Sequence, residues 1–454
     1  MTDHFSSVTT KANFDSVQIK NDKKTIRSWA FFDWANSAYN LVITSTIFPA
    51  YYTIITTTKE HGDKVTFFGR TFTNTALSNY ALSVAYLVMV LLLPILSSVA
   101  DSRGKKKFFM MLFTYIGALA CIGLYFFKLD TLEFGIICFA IAAMGYVGGV
   151  MFNNSYLPEI ASVDQQDSVS AKGYSFGYIG SVILQLICFV FVLKQEWFGI
   201  TDDSFPPRLS FLLVGVWWII FAQIPFKKLP VDQPNPKYDG VNVFKSGFLE
   251  LSKVWKQIKG MKFLKNYLLA FFFYSMGVQT IMLAAAGFGE KTLHLGTSKL
   301  IAVILIIQLV AILGAVMMSS LSRRIGNINV LAIVIFIWIG TCFCAYFITN
   351  EYQFYGLAAV VGLIMGGIQS LSRSTYSKYI PADTKDTASF FSFYDATEKL
   401  SIVIGLFSFA IIEELTNNMR NSIIALASFF VIGLIFLLLL KRVQPSSVTV
   451  DERA

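Results

Sequence analysis

The chain has 454 residues, is 55% hydrophobic and only 14% charged, carries a formal net charge of +9 and has a mean hydropathy of +0.59. Soluble domains average roughly 25% charged residues, so no water-soluble packing hides this many apolar side chains, and lipid must be the solvent. Five cysteines without C-x-x-C or secreted disulfide spacing, and three scattered histidines, exclude a disulfide scaffold and a zinc site.

Residues 1–27 are polar, with no short apolar core and cleavage site, so a cytoplasmic tail rather than a cleaved signal peptide is expected. A helix needs roughly 20 apolar residues to cross a hydrocarbon core of about 30 Å. Twelve stretches qualify: 28–57, 75–100, 108–127, 134–157, 171–193, 209–226, 263–289, 300–321, 328–348, 354–379, 388–412 and 421–440. The reading is an all-α polytopic membrane protein of 12 transmembrane helices. Its parts are a tail at 1–27, six spans over 28–226, a linker at 227–262, six spans over 263–441 and a second tail at 442–454.

In span one, Asp33, Asn36 and Asn40 recur at i, i+3, i+7 and form one polar stripe, which either lines a cavity or bonds a neighbouring helix. Span two ends in Asp101-Ser102-Arg103-Gly104, followed by three lysines. An acid at a helix end can pair with a cation or a helix terminus and latch one conformation; Gly104 permits the tight turn. The linker opens on a turn-prone segment. Phe244, Phe248, Leu251, Trp255 and Ile258 then recur at helical spacing, with Lys245, Lys253, Lys256 and Lys259 largely off that stripe. This predicts a basic amphipathic helix on the inner membrane surface, with a solvated linker helix as the alternative.

Ionisable groups inside a bilayer cost several kcal/mol, so they face a partner or a watery cavity. Spans ten and eleven carry Gln369, Arg373, Asp395, Glu398 and Lys399. At 1.5 Å rise per residue, Asp395 lies roughly 10 Å and Lys399 roughly 16 Å from the inner end of span eleven. Asp395 and Lys399 are an i, i+4 pair in the favourable order, which is also what a purely structural ion pair requires. Glu398 points about 100° away from Lys399 and needs another partner, for which Arg373 is nearest in sequence; the group is expected to face the Asp33 stripe. Gln279 in span seven, with Asn153, Asn154 and Gln185, adds neutral donors and acceptors. Gly145, Gly149, Gly173, Gly177, Gly362 and Gly366 read as packing and hinge positions. Gly287-Phe288-Gly289-Glu290-Lys291-Thr292 is not a phosphate loop, because Glu290 interrupts it and no nucleotide-binding domain surrounds it.

Of the 37 Lys and Arg, 27 lie in loops of the side that holds both termini or within spans near that side's ends, nine lie on the other side, and Lys399 lies in mid-span. This bias predicts cytoplasmic termini in a cell (inner) membrane, and it assigns the net charge to loops rather than to a nucleic-acid surface. Six plus six spans suggest an internal repeat. Tyr156-Leu157-Pro158 ends span four as Tyr379-Ile380-Pro381 ends span ten, and the loop at Gly104 has a counterpart at Gly326.

The segment from Pro94 to Lys107 resembles the major facilitator superfamily signature G-x-L-A-D-x-x-G-R-K, with Ser97 in place of the leading glycine. Trp29-Ala30-Phe31-Phe32-Asp33-Trp34-Ala35-Asn36-Ser37-Ala38 looks like the vacuole-effluxer-like ("unknown major facilitator") family. So do Leu157-Pro158-Glu159-Ile160, the stretch from Gly173 to Gly180, Gly277-Val278-Gln279-Thr280, Gln369-Ser370-Leu371-Ser372-Arg373, and Glu398-Lys399. Ser275-Met276-Gly277 stands where many members carry Asn-Asp-Gly, so span seven lacks their acid. The resemblance implies a major facilitator fold of two six-helix bundles. It also makes amino acids, exported from a compartment, the first substrate class to consider, since the family contains a fungal vacuolar permease associated with amino-acid efflux.

The expected function is secondary transport of a small polar metabolite by a monomer in the lipid bilayer, using alternating access and no cofactor. Substrate and coupling contacts are expected at Asp33, Asn36, Asn40, Gln279, Gln369, Arg373, Asp395, Glu398 and Lys399, and a conformational latch at Asp101, Arg103 and Gly104. Glu398 or Asp33 would carry a proton if transport is proton-coupled. A membrane-embedded enzyme would need a catalytic constellation that is not found, and a non-transporting sensor would be expected to carry a larger soluble domain.

Overall fold

The computed structural model describes residues 20–59, 61–232 and 242–441. The second tail, most of the first and residues 233–241 of the linker lie outside them. The first crossing is one helical run: α1 (Lys23–Ala38), a π-helical stretch (Tyr39–Thr46) and α2 (Ile47–Thr56). Asp22 starts it, its carboxylate accepting the Thr25 N–H at 2.8 Å, an N-cap. The Thr46 hydroxyl bonds the Leu41 carbonyl five residues back, within the wider turn.

A hairpin of β1 (Lys64–Phe67) and β2 (Arg70–Thr73), turning at Phe68 and Gly69 with positive φ, joins α2 to α3; it is an addition to the expected all-α fold. Then come α3 (Asn74–Arg103), α4 (Lys106–Gly123), α5 (Leu132–Asn154), the short α6 (Leu157–Ile160), α7 (Gln166–Leu193) and α8 (Phe205–Lys228). After the linker helix α9 (Val243–Gly260) follow α10 (Lys262–Leu293), α11 (Thr297–Ile325), α12 (Asn327–Phe347), α13 (Glu351–Lys378), α14 (Thr387–Thr416) and α15 (Met419–Lys441).

Among the described residues, ten helices are long and apolar enough to cross a membrane. The two remaining crossings are the α1–α2 run and α14. The first is interrupted by its π-helical stretch, and the second carries Asp395, Glu398 and Lys399 in its middle. At 30 residues α14 is about 45 Å long, enough for a bilayer. The twelve crossings bring Lys23 and Lys441 to the same face of the molecule, the tail side.

Helices α1 to α8 pack mainly on one another, as do α10 to α15. The two groups meet where α3 and α5 touch α14 and where α7 touches α11 and α13. Within the second group α11 and α13 approach backbone to backbone: a Cβ on Gly366 would lie 2.0 Å from the Ala311 carbonyl oxygen. Four cysteines are buried as expected, but Cys344 is exposed on α12.

The linker helix forms, and the stripe it packs against the protein is not the aromatic one. Ser246, Gly247, Glu250, Val254 and Ile258 turn inward, with Gly247 against Val99 of α3, while Phe248 and Trp255 stay exposed. Of the expected stripe only Ile258 is buried; the Phe244 side chain lies outside the described residues. Glycine and serine decide the contact here, because they let the helix lie close on α3.

Candidate functional site

The polar seam between the two groups is built at helix ends on the tail side. Its deepest element is Arg373 of α13, 2% exposed, which enters a socket made by the other group. Its Nη1 donates to Asp33 Oδ2 at 3.0 Å and to Asn154 Oδ1 at 2.9 Å. Nε donates to Ser170 Oγ at 2.9 Å and Nη2 to the Ser170 carbonyl at 2.8 Å. The guanidinium lies against the rings of Trp29 and Tyr174, at 4.7 and 4.2 Å from their centroids. Arginine suits this place because its planar fork satisfies several acceptors at once and stacks on aromatic faces.

Gly173 makes the socket possible, since a Cβ there would lie 2.5 Å from Asp33 Oδ2 and 2.8 Å from Arg373 Nη2. It clears space for the ion pair as well as for helix packing. Gly173→Ala is expected to cost about 1–3 kcal/mol of stability through overpacking, read as a lower melting temperature of the purified protein. An unchanged melting temperature would show that the socket yields freely.

Three further ties surround this pair. The Asp101 carboxylate accepts the Ser389 N–H and hydroxyl, both at 2.7 Å, and the Ala388 N–H at 3.3 Å. It therefore caps the first turn of α14, where the helix dipole favours an anion. Gly104 adopts the left-handed conformation (φ 61°) that ends α3 just beyond, and Arg103 is half-buried beside it. Lys106 pairs with Glu159 of α6, and both reach the Thr387 hydroxyl, at 2.9 and 2.6 Å. On the opposite flank the buried Asp167 of α7 accepts from Lys378 Nζ at 2.6 Å, Ser322 Oγ at 2.8 Å and Asn327 Nδ2 at 2.8 Å. The two flanks use corresponding helix ends of the two halves.

Replacing Asp101 by alanine removes a cap that is commonly worth about 1 kcal/mol. Faster amide exchange at residues 387–390 is the expected result; unchanged exchange there would remove Asp101 from the seam's energetics.

A clamp from the linker helix reaches the same turn. Lys253 Nζ binds Asp386 Oδ2 at 2.5 Å and Glu250 Oε1 at 2.8 Å. Burial, and the facing Glu250 carboxyl, push Asp386 up to about 6. Although burial opposes it, Asp386 and Glu250 hold the Lys253 ammonium above its usual range. With Asp386 raised, the clamped state binds the proton more tightly than a released carboxyl near its usual value of about 4. The contribution is thus complete below that value and is lost as pH rises through about 6. Amide exchange at residues 387–390, corrected for intrinsic rates, is expected to be slower at about pH 5 than at about pH 7.5; the reverse order would refute the sign.

Deeper along α14 lies a second cluster. Lys399 Nζ donates to Glu398 Oε2 at 2.6 Å and stands 3.9 Å from Asp395 Oδ1. Gln279 Nε2 donates to Glu398 Oε1 at 2.9 Å. Asp395 is 2% exposed, and its Oδ2 has no hydrogen-bond partner among the described residues. The Lys399 ammonium faces the Tyr86 ring of α3 at 5.8 Å. Gln369, one turn above Arg373, accepts from the Tyr178 hydroxyl at 2.6 Å.

Several expectations change here. Glu398 pairs with Lys399 and Gln279, not with Arg373, because the long lysine side chain folds back to its neighbour. Arg373 takes Asp33 instead, and the Lys399 cluster faces α3 rather than the Asp33 stripe. Along that stripe Asn36 is buried with its Nδ2 unpartnered among the described residues, while Asn40, at the start of the π-helical turn, is exposed. Sequence reasoning missed Asp167, Lys378, Asn327, Trp29, Tyr174 and Ser170. The correspondence between the loops at Gly104 and Gly326 was the one signal for this second flank.

Two helical groups joined along a polar seam, with charges buried at mid-depth, define a multi-pass membrane transporter of major facilitator architecture. Solved structures share the fold. A fucose:proton symporter of E. coli, FucP, in the outward conformation matches with a TM-score of 0.65 at 13% identity, over 92% of this chain and 98% of that one. A bacterial homologue of the iron transporter ferroportin in the outward-facing state also matches with a TM-score of 0.65, at 11% identity over 92% and 98%. The chain belongs to the family described as vacuole effluxer Atg22 like, whose model matches residues 21–446, and it is not an enzyme. It is 30% identical to the uncharacterized MFS-type transporter YxiO of Bacillus subtilis, over 92% of this chain and 95% of that one. It is 24% identical to autophagy-related protein 22 of Saccharomyces cerevisiae, over 90% and 89%.

Proposed function

We propose that this transporter moves a small zwitterionic metabolite, an amino acid first among them, by alternating access between bundles 28–226 and 263–441, acting as a monomer. The observation that carries the reading is the Asp395–Glu398–Lys399 cluster: two carboxylates share one ammonium at membrane depth. The cluster is one cation short. A substrate ammonium or a proton supplies the missing charge, while Lys399 and the neutral Gln279 offer donors for a carboxylate. Proton coupling follows if Asp395, whose Oδ2 lacks a partner among the described residues, exchanges a proton as the seam opens and closes. Asp101, Arg103 and Gly104 act as the latch of the tail-side-closed state, together with the Arg373 socket.

The lysine and arginine bias supports cytoplasmic termini, so the tail side is the cytosolic face and the described state is closed to it. Efflux from a compartment is the direction in keeping with the family described as vacuole effluxer Atg22 like; for a vacuole that means delivery to the cytosolic face. The test is flux of a labelled amino-acid panel into proteoliposomes, with and without a pH gradient. Saturable flux of one or more members, lost in Glu398→Gln, is expected. Absence of flux for the whole panel under either condition overturns the amino-acid reading, and flux indifferent to the gradient overturns the coupling.

A further inference from the structure

Helix α9 has three faces, of which one is packed inward and a second touches the protein through one face of the Trp255 ring. The inward face (Ser246, Gly247, Glu250, Val254 and Ile258) lies against α3 and α14. It bridges the two groups at the place where Asp101 caps α14. A second flank carries Phe248 and Trp255, seven residues and so two turns apart, 58% and 44% exposed. Between this flank and Leu249, itself 50% exposed, runs a ridge of Lys245, Lys256 and Lys259, all exposed. None of the three has a salt-bridge partner among the described residues, whereas Lys253, which points inward, has two. The Lys259 ammonium stands 4.8 Å from the Trp255 ring centroid.

An aromatic flank beside a row of unpaired lysines, on a helix at the ends of membrane-crossing segments, matches a bilayer surface. Rings enter the boundary between headgroups and acyl chains, and ammonium groups meet lipid phosphates. A protein partner would have no reason to require both an aromatic edge at this depth and a row of like charges beside it. We propose that the outward face of α9 docks on anionic lipid headgroups of the tail-side leaflet and that Lys253, through Asp386, transmits this contact to the first turn of α14. Anionic lipid thereby favours the closed seam. Docking presses α9 into the groove between α3 and α14, and the Glu250–Lys253–Asp386 clamp joins the helix to the same turn that Asp101 holds. Trp255 adds a second link to α14, its ring stacked on Phe393 at 5.3 Å.

The experiment uses the full chain in nanodiscs of phosphatidylcholine alone or with about a third phosphatidylglycerol, and reads amide hydrogen exchange. It is independent of substrate and of the chain's orientation in the cell. Exchange across residues 245–259 and 387–390 is expected to slow about fivefold or more in the anionic discs. The gain is expected to vanish in the combined Lys245→Gln, Lys256→Gln, Lys259→Gln variant and to return in the corresponding triple arginine variant. Exchange in the middle of α5 reports that both variants fold. Equal protection in the two lipids, or a gain that survives the glutamine variant, overturns the proposal. A gain produced equally by soluble inorganic phosphate in neutral discs also overturns it, because the site would then bind a free anion. Protection of α9 without any change at residues 387–390 overturns the link to the seam.

Discussion

Replacing Arg373 by alanine is expected to abolish flux and to destabilise the protein by about 3–5 kcal/mol, because it strands the Asp33 carboxylate in a buried socket. Arg373 and Asp33 are 2% and 7% exposed, so water screens the pair little. The same substitution leaves Asn154 and Ser170 short of a donor and empties the space between Trp29 and Tyr174. Arg373→Lys is not a mild change here, since one ammonium cannot serve Asp33, Asn154 and both oxygens of Ser170. A double variant, Arg373→Met with Asp33→Asn, removes the stranded charge and is expected to regain much of the lost stability without regaining flux. Melting of the purified protein and flux in proteoliposomes separate these outcomes. A single alanine variant that melts within about a degree of the parent would mean that the socket contributes nothing.

Lys399→Met is expected to be nearly as severe, for the opposite reason. It leaves Glu398 and Asp395 facing one another without their cation, and like charges at membrane depth are costly. A stability loss of about 3 kcal/mol or more is expected, together with loss of flux. Adding Glu398→Gln to Lys399→Met removes one carboxylate and lets Gln279 bond an amide instead, so stability is expected to recover in part. Non-additivity in the cycle measures the pair itself. Strictly additive effects would show that Lys399 and Glu398 do not interact as the geometry requires.

Most of the fold could be read from hydropathy, because twelve apolar runs leave few alternatives in lipid. The two most polar crossings, α1–α2 and α14, are long enough to read as spans despite their charges, and those charges mark them as candidate site helices. Asp33 and Arg373 were each singled out, yet not as partners, since they stand 340 positions apart and nothing local records the meeting. Local rules told only part of the story at Lys399: the i, i+4 pair with Asp395 is present at 3.9 Å, and the flexible stem also reaches the adjacent Glu398 at 2.6 Å, which no spacing rule anticipates. The aromatic stripe of α9 marked a real surface but not the one that packs, because small residues, rather than large ones, permit the close approach to α3. Asp167 lay in an unremarkable loop-to-helix junction, and only the fold brings it to Lys378 and Asn327.

The placement of the seam's polar ties at helix ends sets how costly it is to break them. In the proposed cycle, where the tail side parts, Asp101, Glu159, Lys106, Asp167 and Lys378 do not enter hydrocarbon; they meet water. Each tie is then exchanged for hydration, and hydrogen bonds to charged groups exchanged in this way are worth about 1.5–3 kcal/mol apiece, with well-hydrated ion pairs worth less. Arg373 and Asp33, set deeper, lose more and hydrate later. Where most ties hydrate well, many contacts hold the closed form with a modest total advantage. A ligand whose differential affinity for the two forms is a few kcal/mol is enough to invert their populations.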